Sequence, residues 1–161
     1  VDTRELVIEG DFEFSPAIVW DALTDPDLVS GWLAPASIAA EMGGRYSLAW
    51  SYPSGVAESS GRITGIAAHR RLEITDTTGA VTVFELAELS GGLRGTSTRL
   101  RVTAVGHSST VATAAVRADW LTALDQLDAL LRGHPVDWSH WASDHLELWS
   151  RHLREVRDTI A

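Results

Sequence analysis

The sequence holds 161 residues, 45% of them hydrophobic and 22% charged, which is one domain's length with the material for a real core. Thirteen Lys+Arg against 22 Asp+Glu leave a net charge of −9, which argues against a nucleic-acid partner, since such a site needs a positive field. With no cysteine, disulfides, thiolate metal sites and cysteine nucleophiles are excluded.

From the N-terminus, "RELVIEGDFEFSP" alternates Leu6, Ile8, Phe12 and Phe14 with Glu5, Glu9, Asp11 and Glu13, a long strand with one wet face. Ser15-Pro16 then opens a helix, with Ser as N-cap and Pro at the first helical position. Ile18, Val19, Ala22 and Leu23 carry it to Asp25-Pro26, where the residue before proline disfavours helical dihedrals. Residues 27–33 form a second short helix, ending at Pro35 and carrying Trp32.

Strands follow. "ASIAAEM" runs to a Gly43-Gly44 turn, and "RYSLAW" puts Tyr46, Leu48 and Trp50 on one face. "SYPSGVAESS" is a loop by composition. "GRITGI", "RLEIT", "VTVFELAEL" and "TSTRLRVTAV" are strands separated by turn signals, an antiparallel meander. From about Ser109 the period changes to helical, with Val116, Trp120, Leu124, Leu127 and Leu131 on one stripe. Gly133 is the natural C-cap and Pro135 a stop. A last helix begins near Asp137 or Ser139, with Ala142, Leu146, Trp149, Leu153, Val156 and Ile160 as its apolar stripe.

Such a sheet must bury one face, and the long helix laid across it would do so. The two short helices would then close one end of the space between, with Trp32 turned inward as the plug. In this order the segments "FEFSPAIVWDALTDPDLVSGWLAP", "GGRYSLAW", "GRITGIAAHRRLEIT", "VTVFELAEL", "GTSTRLRV" and "DWLTALDQLDALL" resemble the START-like superfamily, also called helix-grip or SRPBCC. Within it they are most similar to the branch of the activator of the heat-shock chaperone ATPase. The resemblance spans about residues 4–132. It implies an α+β helix-grip fold, in which a curved antiparallel sheet wraps a long core helix. Residues 1–133 would form that domain. Residues 134–161 would be an added amphipathic helix, packed on the domain or on the partner of a homodimer. The short "RGHPVDW" linker favours folding back.

Trp32, Tyr46, Trp50, Phe84 and Trp120 fall on inward faces. With Leu48, Leu86, Val116 and Leu124 they are the candidate lining of a ligand cavity, and equally the material of a packed core. Members of the superfamily bind hydrophobic small molecules, act as polyketide cyclases, or regulate partners. No nucleophile-elbow, P-loop, dinucleotide or zinc-protease motif occurs, so no catalytic residue and no cofactor is named. The expected function is binding of a small hydrophobic molecule, polyketide- or lipid-like, without catalysis. The alternatives are a cyclase- or dehydratase-like enzyme with a cavity acid or base, and a co-chaperone-like interaction module that uses the tail helix.

Glu58 and Asp119 are the carboxylates considered for acid–base work, and a solvated position is the plainer reading of each. Arg99 and Arg101 belong to the outer face of the sheet. Four histidines, His134, His140, His145 and His152, lie in the tail. Their spacing does not bring three ligands to one point, so interface or solvated histidines are expected rather than a metal. There is no apolar run of about 18 residues and no signal-like apolar stretch at the front, which points to a cytoplasmic protein without a membrane span. Every basic residue is arginine and asparagine is absent, the codon habit of a GC-rich, actinobacterial genome.

Overall fold

The computed structural model of the chain describes residues 4–50, 52–54, 59–91, 95–106 and 114–160. Strand β1 (Arg4–Phe12) is followed by helices α1 (Pro16–Thr24) and α2 (Pro26–Val29). Strands β2 (Ala36–Ile38), β3 (Arg45–Leu48), β4 (Ser59–Ala67), β5 (Arg71–Asp76), β6 (Val81–Ser90) and β7 (Thr96–Gly106) come next. Helix α3 (Ala114–Leu131), one 3-10 turn (Trp138–His140) and helix α4 (Trp141–Ile160) complete the chain. The strands make one antiparallel sheet in the order β1-β7-β6-β5-β4-β3-β2.

Alternation sets the two faces of this sheet. Leu6, Ile8 and Phe12 of β1, Leu72 and Ile74 of β5, Phe84 and Leu86 of β6, and Leu100 and Val102 of β7 are buried. The outer face is charged: Arg99 lies opposite Asp11, and Arg101 opposite Glu9, across the β1–β7 pairing. The first pair closes at 2.9 Å, with both side chains about half exposed. Such pairs organise a surface more than they stabilise it.

The helix signals read from the sequence act as expected, and some boundaries differ. Ser15 caps α1 through the Ile18 N–H, and Asp25 caps α2 through the Asp27 N–H. The second helix is four residues long. Beyond it the Trp32 and Leu33 N–H groups turn back to the Val29 carbonyl. Strand β2 stops at Ile38 rather than Met42, because the Glu41 N–H closes a turn on the Ala39 carbonyl. The expected start of the long helix near Ser109 lies outside the described residues.

Antiparallel order fixes the two ends of the molecule. Strands β3, β5 and β7 finish at the end where β1 starts, and α3 begins there. The far end of α3 meets α2: a Cβ on Gly31 would lie 2.9 Å from Leu130 Cδ1 and 3.3 Å from Pro135 Cβ. At that end Gly133 takes φ 95°. Its N–H reaches the Leu130 carbonyl at 2.9 Å, and the His134 N–H reaches Ala129 at 2.8 Å, a Schellman close. Gly133→Ala places a β-carbon in this left-handed position. It is expected to cost about 1 kcal/mol in urea unfolding. An unchanged midpoint would mean that the cap relaxes freely.

The tail keeps Trp149, Leu153 and Val156 of its expected stripe and departs from it at Ala142 and Leu146. Trp141, Trp149 and Val156 of α4 are buried, with His145, Leu148, His152 and Leu153 half-buried beside them. Ala142 is exposed and Leu146 is 40% exposed, and the side chain of Ile160 lies outside the described residues. One residue is 100° on a helix. The face is therefore chosen by what the two indoles reach, not by hydropathy alone.

Candidate functional site

The broken segment after β1 leaves carbonyls without helical partners, as every helix end does. Distant side chains satisfy them. The Trp32 Nε1–H donates to the Ala22 carbonyl at 2.6 Å, and the Tyr46 hydroxyl donates to Leu23 at 2.8 Å. The carbonyls of Ser30 and Gly31 accept from Trp138 Nε1 and from the Val136 N–H. The Trp32 carbonyl accepts from Gln126 Nε2 at 2.6 Å, and the Leu33 carbonyl from the Tyr52 hydroxyl at 2.8 Å. Trp32 is thereby sealed at 0% exposure, and burial pushes the Tyr46 phenol well above its ordinary range. This corner closes one end of the sheet–helix interior.

The other predicted rings adjoin this corner through Tyr52. Trp50 follows β3 and lies 5.1 Å from the Trp120 ring of α3 and 4.8 Å from Tyr52. Trp120 in turn lies 6.1 Å from Phe84 on β6. Tyr52, Phe84 and Trp120 are buried, and Trp50 is half-buried. Leu48, Leu86, Val116 and Leu124 are buried in the same core. The nine predicted lining residues thus divide, with Trp32 and Tyr46 in the closed corner and the Trp50–Trp120–Phe84 run beside it, joined to it by Tyr52.

Two polar residues on α3 tie this interior together, and the sequence reading missed both roles. Asp119 is fully buried, not solvated. Its Oδ2 accepts from Trp50 Nε1 at 3.0 Å and its Oδ1 from Trp149 Nε1 at 2.8 Å. Ser54 adds a side-chain and a backbone donor. Burial pushes this carboxyl above the usual carboxylate range, against the pull of those donors. Seven residues on, Gln126 spends its amide on the Trp32 carbonyl, on the Tyr52 hydroxyl at 2.9 Å, and on accepting the Trp141 indole at 2.7 Å. Among the described residues, no buried side-chain nitrogen or oxygen lacks a partner. Asp119 does lie off the Val116–Trp120–Leu124 stripe. What covers it is the tail, and the signal for that was three tryptophans within residues 138–149.

The tail histidines do not converge. His152 Nε2 lies 2.6 Å from Asp125 Oδ2, and His140 pairs with Asp137 at 2.8 Å on the surface. Among the described residues no three His, Asp or Glu side chains are placed to hold a metal ion. Glu58 lies outside the described residues. A polar cleft of about 360 Å³ opens on the outer face by the β2 edge, lined by Ser37, Glu41, Arg45 and Arg62. It lies across the sheet from the rings. Among the described residues no helix is long and apolar enough to cross a membrane.

Residues 13–132 match the family model described as Activator of Hsp90 ATPase homolog 1-like protein. The crystal structure of CalU16 from Micromonospora echinospora is 24% identical, over 94% of this chain and 89% of that one, with a TM-score of 0.66. Its solution NMR structure gives a TM-score of 0.74 at 20% identity, over 98% of this chain and 87% of that one. Protein MLL2253 from Mesorhizobium loti is 22% identical over 83% of this chain and 100% of its own, with a TM-score of 0.66. At these identities the likeness is one of fold, and the fold is the α+β helix grip that the sequence implied. Among curated proteins none matches the chain.

Proposed function

The chain belongs to the family of Activator of Hsp90 ATPase homolog 1-like protein, and from that premise we propose that it binds a small hydrophobic molecule between the sheet and α3, without catalysing a reaction. The ligand class is a polyketide- or lipid-like metabolite with little polar surface. One observation carries this reading. The polar tip of Trp50 is tied to Asp119 and that of neighbouring Tyr52 to the Leu33 carbonyl, and Phe84 has none, so these rings offer a ligand only their apolar faces. A wall of that kind favours apolar contact and gives a polar substrate nothing to grip. The ligand would lie against the Trp50–Trp120–Phe84 run, since Trp32 and its carbonyl network fill the adjoining corner and Trp50 is the half-buried ring.

Tryptophan fluorescence and thermal shift against a panel of apolar and polar metabolites test the proposal. The expected result is saturable quenching together with a rise in Tm for apolar compounds alone. A rise of about 2.7 kcal/mol in stability is expected at a hundred times Kd. A panel in which nothing shifts Tm, combined with a crystal structure showing the interior filled by side chains, would overturn it.

A further inference from the structure

The family match ends at residue 132, yet the segment after it reaches the interior at three points. We propose that residues 134–160 are a strap that sets the position of Trp50 beside the ligand site, with Asp119 as the positioning residue between them. This deepens the binding reading above and rests on it, because it assigns the control of access to that same site.

The argument starts from one carboxylate shared by two indoles. Trp149 on α4 donates to one oxygen of Asp119 and Trp50 donates to the other. Gln126 repeats the arrangement two turns along α3, accepting from Trp141 on the strap and donating to the Tyr52 hydroxyl. Each α3 residue therefore joins one strap tryptophan to one aromatic residue of the connection after β3. The rings make the same link directly: Tyr52 lies 5.6 Å from Trp141 and 5.8 Å from Trp138.

Helix α3 is held by its buried core face, so Asp119 and Gln126 are fixed points that couple the strap tryptophans to Trp50 and Tyr52. Trp50 is half-buried, whereas Trp120 and Phe84 behind it are buried, which makes it the outermost ring of the run. Its place decides whether an apolar molecule reaches Trp120. Lifting the strap uncovers the Asp119 carboxylate. Water then competes for both oxygens, and the Trp50 indole loses a dry acceptor. The strap is also held at the corner, by the Trp138 indole on the Ser30 carbonyl and the Val136 N–H on Gly31, while along α4 its other holds are buried Val156, half-buried Leu153 and His152 against an exposed Asp125.

The test uses the full chain and the double variant Trp141→Phe with Trp149→Phe, which keeps most of the ring volume and removes both donors. Hydrogen exchange is read by NMR at the Trp50 indole N–H, the Tyr52 amide, the α4 amides, and the Leu72 and Val102 amides of the sheet. Nile red association is read by stopped flow. The Trp50 and Tyr52 protons are expected to exchange about tenfold faster, in step with α4, while the sheet amides keep their rates. Nile red should associate faster with the variant. The proposal fails if α4 speeds up while Trp50 and Tyr52 do not, if α4 itself does not change, or if the sheet amides accelerate equally. Should Nile red bind neither protein, the binding reading and the access role fall together. The coupling of strap to Trp50 is still decided by the exchange data alone.

Discussion

Asp119→Ala is expected to lower stability by about 3 kcal/mol, as the two indoles and Ser54 lose their acceptor inside the protein. For a chain of this length that is roughly 6–12 °C in Tm. Asp119→Asn keeps one of the two acceptors and should lose about half as much. The effect carries a pH signature. Burial raises the Asp119 carboxyl above its ordinary value of 3.8, so the folded chain holds this proton more tightly than the unfolded chain. Its contribution to stability is therefore fully present below 3.8 and is lost as pH rises through the raised folded value. Carboxylates shifted the other way, such as Asp11 and Glu73, occur in both proteins and cancel in the difference. Urea unfolding at pH 4 and pH 7 should show a wider gap between wild type and Asp119→Ala at pH 4. A gap that narrows there would mean that the donors outweigh burial.

Trp32→Ala should be the other severe change. The side chain is fully buried, and its loss both opens a cavity and leaves the Ala22 carbonyl without a donor. About 3–5 kcal/mol is expected from the cavity and the lost packing. Trp32→Phe fills most of the space and should cost about 1–2 kcal/mol, the share due to the buried acceptor. Thermal unfolding of both variants checks the order. Equal losses would show that the hydrogen bond, not the ring, holds the corner.

The fold was legible because each of its signals is local. Ser15-Pro16 and Asp25-Pro26 state their helix boundaries in two residues each, and the alternation in β1 and β7 names its own inner face. Burial of Tyr46, Phe84 and Trp120 followed from period, and that of Trp32 from the place of the short helices at one end of the sheet. The polar interior was not legible in that way. Asp119, Thr122 and Gln126 form a helical row that hydropathy assigns to water, yet all three are buried. What makes a buried carboxylate tolerable is the pair of indoles from residues 50 and 149, and no local pattern records that meeting. Tyr52 failed for the same reason: its neighbours read as loop, while its hydroxyl closes on Leu33. On α4 the expected Trp149, Leu153 and Val156 do face the core, but Ala142 and Leu146 do not, because Trp141 rather than they takes the inward place, where its indole finds Gln126.

The carbonyls left by the short helices have a consequence for synthesis. Those of Ser30, Gly31, Trp32 and Leu33 are all satisfied by groups that leave the ribosome later, at positions 52, 126, 136 and 138. The corner emerges before Gln126, Val136 and Trp138 and waits hydrated until they follow. It locks only when residue 138 has cleared the exit tunnel. Helices α1 and α2 are thus made before α3 but finished after it, and a nascent chain stalled before residue 138 would carry that corner unsealed.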